Sequence, residues 1–339
     1  MRYITLPIGV LALLGSVFVE TGCGGESVDE QMQHDTTLSL VIREWSGRIV
    51  QYPKNDDYRY QRGMELAKGK IYTKALADFN KAIELNPKKA DYYVAKADVH
   101  MALNETKNAL KTYEAAIETD AQNENALLSL GRFQYFVRDF TKAQEVFAQL
   151  ERVNPANAEG YFYQGMIYKE LKDTAKAIDA FGKAVQIDLY YHNALIQLGQ
   201  IYSDKNDKIG LSYYKNATLA DEFSDEAFYG LGYLYQKLEQ YDSAVVNYQR
   251  TVNINPLHYF AYYNTGYILF EDNKINRAIE HFQLAIKFAP GFAKAHYMLG
   301  LCSESKGDYD QAGVYFNRSL EKDPNFEDAK QGLIRLTTY

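Results

Sequence analysis

The stretch KALADFNKAIELNP, residues 74–87, decides how this chain folds, because its spacing returns through the rest of the sequence. Ala75, Phe79, Ala82 and Pro87 head four columns. A step of 34 residues lands on Ala109, Tyr113 and Ala116, the next on Ala143, Phe147, Leu150 and Pro155, and the next on Ala177, Phe181 and Ala184. One residue is then lost, so the following set is Gly210, Tyr214 and Ala217. The phase resumes at Ala244, Tyr248, Thr251 and Pro256, then at Ala278, Phe282, Ala285 and Pro290, and at Ala312, Phe316, Ser319 and Pro324. A separate column keeps the same register: Gly63, Ala97, Gly131, Gly165, Gly199, Gly232, Gly266 and Gly300.

Two helices joined by a short turn, such as Leu171-Lys172-Asp173, account for each period. Small residues recurring in two columns mark where the paired helices cross, letting the axes approach to roughly 8–10 Å. Glycine costs up to ~1 kcal/mol in a helix interior, so its recurrence implies that close contact offsets the loss. The aromatic four residues after each alanine shares its helix face, and the proline stops the second helix. These positions resemble the tetratricopeptide repeat in all eight units from about Asp56 to Pro324. The resemblance implies an all-α fold, a right-handed α-solenoid of about eight helical hairpins over 56–325. Trp45 lies 34 before Phe79 and Pro53 lies 34 before Pro87, so residues 38–55 are expected as a leading half-repeat supplying one helix. Residues 326–339 are expected to form the helix that covers the last apolar face.

The N-terminus carries a different signal. Arg2, an apolar run from Ile4 to Val19 and small residues before Cys23 describe a secretory leader over residues 1–22. Thr21-Gly22-Cys23 resembles a bacterial lipoprotein signal, which implies lipidation of Cys23 and an anchor in the cell envelope, with the outer membrane expected. Glu20 departs from that signal, which carries an apolar residue there. Ordinary cleavage, with Cys23 a bystander, is the other reading. Residues 23–37, polar and acidic, are expected to be a flexible tether.

Little in the composition points to chemistry. The net charge of -7 does not favour nucleic acid, which asks for a basic stripe. The six histidines have no metal-ligand spacing, and no nucleophile elbow or phosphate loop occurs, so neither a metal, a cofactor nor a catalytic residue is expected. Cys302 is expected to be a small core hydrophobe. Asp173-Thr174-Ala175 and Asp242-Ser243-Ala244 resemble short bacterial O-glycosylation sites, and both also stand where a second helix starts and would cap it.

Function then falls to the inner wall. In the repeat family, first helices line a concave face. Reading the fifth and ninth residues of each unit gives a stripe of Tyr229, Tyr233, Tyr263, Tyr267 and Tyr297, with Phe270 a turn beyond. Tyrosine offers a rigid aromatic body and a directed hydroxyl, as binding surfaces use it. It can equally fill space between neighbouring helices, or be buried against a second copy of the chain. The lysine and asparagine clamp for acidic tails that some members carry is not matched, since Tyr60 and Met64 occupy its leading sites. An asparagine ladder is not matched either, Asn264 standing alone among the sixth positions. The expected protein is a non-catalytic scaffold that binds a protein or peptide segment. A periplasmic assembly factor for outer-membrane, peptidoglycan or secretion machinery, and a glycan-binding module, are the alternatives.

Overall fold

Each set of columns becomes a helical hairpin in the computed structural model, which describes residues 27–337. All the regular structure among the described residues is helical, and no strand occurs there. The chain divides into two bodies at Thr119/Asp120. The N-terminal body holds α1 (Val28–His34) with α2 (Leu40–Gln51), α3 (Asp56–Lys68) with α4 (Tyr72–Leu85), and α5 (Ala90–Ala102) with α6 (Thr106–Thr119). The C-terminal body holds α7 (Glu124–Phe136) with α8 (Phe140–Val153), α9 (Ala158–Glu170) with α10 (Thr174–Ile187), and α11 (His192–Asp204) with α12 (Ile209–Ala220). It continues with α13 (Asp225–Lys237) and α14 (Tyr241–Ile254), α15 (Tyr259–Glu271) and α16 (Ile275–Phe288), α17 (Ala293–Ser305) and α18 (Tyr309–Lys322), and ends on α19 (Glu327–Leu336).

The columns meet inside the hairpins. A Cβ added at Gly165 would sit 2.5 Å from the Phe181 ring and at Gly63 2.6 Å from Phe79, and one at Gly300 would press on Phe316 in the same way. Those rings are fully buried, each contributing about 1.5–3 kcal/mol of apolar burial. A second set of close approaches joins successive hairpins: Gly230 faces the Tyr214 ring of the hairpin before it, and Gly332 of α19 faces Phe316.

From α3 and α4 onward, the turn inside each hairpin repeats one backbone device. Lys70, Asn104, Arg138, Lys172, Asn206, Glu239, Asn273 and Gly307 all have φ between 55° and 75°. This left-handed conformation suits Gly and is tolerated by Asn, but a Cβ-bearing Lys, Arg or Glu adopts it at a cost. The residue lost in the fifth unit falls after Asn206, in the first turn of α12, which is accordingly two residues shorter than the other second helices of its body. Asp173 accepts the Lys176 N–H at 3.1 Å and caps α10, whereas Asp242 lies inside the first turn of α14, after the cap position Gln240.

The start of the chain differs from the sequence expectation. Residues 28–34, expected within a flexible tether, form α1, so a hairpin rather than a half-repeat leads the N-terminal body. Ser27 and Glu30 close a reciprocal capping box, and Met32 is buried. Asp29, which suggested solvation, accepts from Arg59 at 2.7 Å and from Arg62 at 2.6 Å. Arg62, itself buried, also donates to both oxygens of Asp78 at 2.7 Å and to Ser46 Oγ at 3.0 Å. Ser46, not Trp45, occupies the aromatic column of α2: Ile42, Ser46 and Ile49 point inward, while Trp45 lies on Tyr58 with the Arg48 guanidinium over its ring. The phase is thus one residue shorter than 34 here, and the guanidinium of Arg62 fills the space a ring takes elsewhere. Cys23 and the expected leader lie outside the described residues. No described helix is long and apolar enough to cross a membrane.

Candidate functional site

Within the C-terminal body, α7 touches α9, α11 touches α13 and α15 touches α17, first helix directly against first helix. Second helices make no comparable contact with each other, so the stack closes up on the first-helix side. The residues on that side form the inner row.

The predicted tyrosines separate into two groups on it. Fifth-position rings are wedged between two other rings. Tyr229 lies 5.8 Å from Tyr248 and 4.5 Å from His258, Tyr263 5.7 Å from Phe282 and 5.0 Å from Phe292, and Tyr297 5.6 Å from Phe316 and 5.3 Å from Phe326. In each case the partners are the aromatic of the same hairpin's second helix and the residue just before the next first helix. Phe162 repeats the arrangement with Phe181 and Tyr191. Phe270 packs beside Tyr263 and Tyr297 against the cluster around Leu269, Phe282 and Leu299. These residues are half-buried.

Ninth-position rings are open. Tyr233 is 41% exposed and Tyr267 38%. Tyr233 stacks on Tyr229 at 6.2 Å and has Lys237 Nζ 5.6 Å from its centroid, while Tyr267 shares a hydrogen bond with Glu271. Phe260, the second residue of its unit, is also exposed and lies 6.5 Å from Tyr229 and 4.2 Å from Tyr259. Extending the positional reading from the fifth and ninth residues to the second would have found it. The surface that a ligand can reach is therefore Tyr233, Phe260 and Tyr267, with Lys237 and Glu271 at its margin.

The hydroxyl of Tyr229 is fixed from below. Asn264, buried, donates its amide to Tyr229 and to Tyr248, each at 3.2 Å, and Tyr248 donates to Gln236 at 2.6 Å. Asn264 thus holds tyrosines in place instead of facing a ligand. Burial raises the Tyr229 phenol above its ordinary value, although the Asn264 hydrogen bond works against it, and burial pushes Tyr263 up to about 12. Burial and the Glu271 carboxylate raise Tyr267 as well. These phenols stay protonated at neutral pH and act as hydroxyl donors and aromatic faces, not as bases. Burial lowers the His258, His281 and His296 imidazoles, keeping them neutral at neutral pH. Cys302 is fully buried and its thiol is pushed up to about 12, so it sits as a core side chain. Among the described residues no three His, Cys, Asp or Glu side chains are grouped to hold a metal ion.

Models of the tetratricopeptide repeat match residues 60–126, 128–190 and 229–291, more than half of the chain, and a further one matches 293–326. The sequence is 27% identical over 169 residues to the probable UDP-N-acetylglucosamine–peptide N-acetylglucosaminyltransferase SPINDLY of Hordeum vulgare, covering 48% of this chain and 18% of that protein. It is 31% identical over 107 residues to the Hsp70-Hsp90 organizing protein of Triticum aestivum, covering 32% of this chain and 18% of that one. The chain spans less than a fifth of the length of these relatives. A tetratricopeptide repeat protein from Parabacteroides merdae superposes with a TM-score of 0.50 at 17% identity, covering 74% of this chain and 99% of that one. The Cut9-Hcn1 hetero-tetramer of the anaphase-promoting complex superposes with a TM-score of 0.52 at 16% identity, over 86% of this chain and 57% of that one. Both likenesses concern the fold.

Proposed function

The chain belongs to the tetratricopeptide repeat family, and we propose that it works as a non-catalytic scaffold holding a protein or peptide partner on its inner row. The open rings of Tyr233, Phe260 and Tyr267, on α13 and α15 and joined through Tyr229 by Asn264 and Phe260, are the observation that carries this reading. Rigid aromatic rings lose little rotamer freedom on binding, and a few such anchors supply most of the affinity of a peptide interface. Their neighbours are already locked by Asn264, Phe292 and His258, so the row is preformed. An apolar or aromatic-bearing segment fits it, with Lys237, bound to the Ser203 carbonyl, and Glu271, bound to Tyr267, at its polar margin. In the same proposal, Cys23 carries the lipid that anchors the protein in the cell envelope.

Photo-crosslinking tests the groove. A benzophenone residue at Tyr233 or Tyr267 should trap a discrete protein adduct in cells, whereas the same probe at Val246 or Val314, exposed on second helices, should not. Equal trapping at all four positions, or none at Tyr233 and Tyr267, would refute the inner-row assignment. Tyr233→Ala with Tyr267→Ala should abolish the adduct formed from a probe at Phe260, with the helical spectrum unchanged. The anchor has its own test: Cys23→Ala should move the protein from the membrane to the soluble fraction, and continued membrane association would remove lipidation from the proposal.

A further inference from the structure

The turns that connect one hairpin to the next carry a second surface, separate from the inner row. In the C-terminal body every such turn but the one between α16 and α17 is closed by an Asx bond, in which an Asp or Asn side chain accepts the backbone N–H two residues on. Asp188 accepts from Tyr190 at 3.0 Å, Asp221 from Phe223 at 2.9 Å and Asn255 from Leu257 at 3.1 Å. The residue at the tip is thereby fixed and pointed outward. Elsewhere in the C-terminal body the same tip is Gln122, Ala156, Gly291 or Asn325. In three consecutive turns it is a large apolar side chain: Tyr190 is 60% exposed, Phe223 72% and Leu257 66%. Leu189 and Leu219, beside the first two tips, are likewise exposed.

Single exposed apolar residues are ordinary, but here they recur at equivalent positions of successive hairpins, in a row along one edge of the stack. The turns themselves carry one sign of charge. Across residues 186–193, 218–226 and 253–260 stand Asp188, Asp221, Glu222, Asp225 and Glu226, and no Lys or Arg. Glu222 and Glu226 face solvent, while Asp225 accepts from Asn255 Nδ2 at 2.6 Å and so ties two of the turns together. We infer that this edge is a docking ridge for a cationic polypeptide segment, one that places large apolar side chains on Tyr190, Phe223 and Leu257 and Lys or Arg against the carboxylates. Charge complementarity selects that occupant. A second copy would set one acidic rim against another, and an anionic lipid surface would be repelled by it.

Random peptides displayed on phage test the assignment, selected on the immobilised full chain and counter-selected on the Tyr190→Ser/Phe223→Ser/Leu257→Ser variant. Recovered sequences should set Lys or Arg beside large apolar residues. Fluorescence anisotropy of such a peptide should show at least about tenfold weaker binding to the triple variant. Affinity should also fall when salt is raised from about 0.1 to about 0.5 M, and on replacing Glu222 and Glu226 by Gln. The variant changes only outward side chains and leaves the Asx acceptors in place, so an unchanged far-UV spectrum is expected. Acidic peptides, peptides that bind parent and variant equally, or a parent that self-associates in sedimentation velocity where the variant does not would each overturn the inference. So would flotation of the parent, but not the variant, with phosphatidylglycerol vesicles.

Discussion

Two glycines of one hairpin should respond in opposite directions to the same substitution. In Gly165→Ala the new Cβ lies 2.5 Å and 2.6 Å from Cδ1 and Cε1 of Phe181, about 1 Å inside normal carbon contact. The ring cannot turn away freely, because it is fully buried and has Phe162 at 5.8 Å. Overpacking of this kind costs about 1–3 kcal/mol, against a gain of up to ~1 kcal/mol from replacing glycine in a helix. The balance is a loss of about 0.5–2 kcal/mol. Gly182 of α10 has no atom within 4 Å of the corresponding Cβ, so Gly182→Ala keeps the helix gain alone and should stabilise by about 0.5–1 kcal/mol. Hydrogen exchange of the α9 and α10 amides is the suitable assay, since stacked repeats open locally and one global midpoint would blur the effect. Adding Phe181→Leu should shrink the penalty of Gly165→Ala in a double-mutant cycle. Destabilisation by both alanines, or by neither, would show that the glycine column is not where the helices touch.

Asp78→Ala strips the buried Arg62 guanidinium of its paired acceptor and should cost about 3–5 kcal/mol in the N-terminal body. Arg62→Leu added to it should recover much of that loss, Leu being the residue at the same position of α7, α11, α13 and α17; urea unfolding followed by Trp45, the single tryptophan, measures both. Acid should loosen α1 as well. Burial tends to raise the Asp29 carboxyl, but hydrogen bonds from Arg59 and Arg62 hold it below its ordinary value. Its contribution is therefore complete above the unfolded carboxylate value of about 3.9 and disappears as pH falls through the lower folded one. Exchange protection of α1 should drop over that acid window, and Asp29→Asn should show the lowered protection already at neutral pH.

How much of the fold was legible depended on whether a residue's neighbours repeat with it. Ala177, Phe181 and Gly165 meet partners fixed by the same period, so their columns identify both helices and the crossing between them. The first hairpin broke that logic. With Ser46 in the aromatic column, no ring marks α2, and Trp45 one residue earlier invites the wrong phase. The compensating group, Arg62, comes from the next hairpin and is completed by Asp29, a residue whose acidic neighbourhood suggests solvent. A buried ion network joining four helices leaves no periodic trace, because each of its members occurs once.

The site was half legible for a related reason. Period placed Tyr229, Tyr233, Tyr263, Tyr267 and Tyr297 on one wall, but the wall's depth is set by residues outside the stripe. A fifth-position ring sinks because a second-helix aromatic stands beneath it and His258, Phe292 or Phe326 closes over its side. The ninth position, one turn further along the helix, has no such lid, so the identical residue type stays in solvent at Tyr233 and Tyr267. Truncating Tyr229 or Tyr263 would thus remove packing between hairpins along with any ligand contact, and a lost interaction could not be assigned. Truncating Tyr233 and Tyr267 leaves those wedges intact, which makes them the positions at which binding and folding can be told apart.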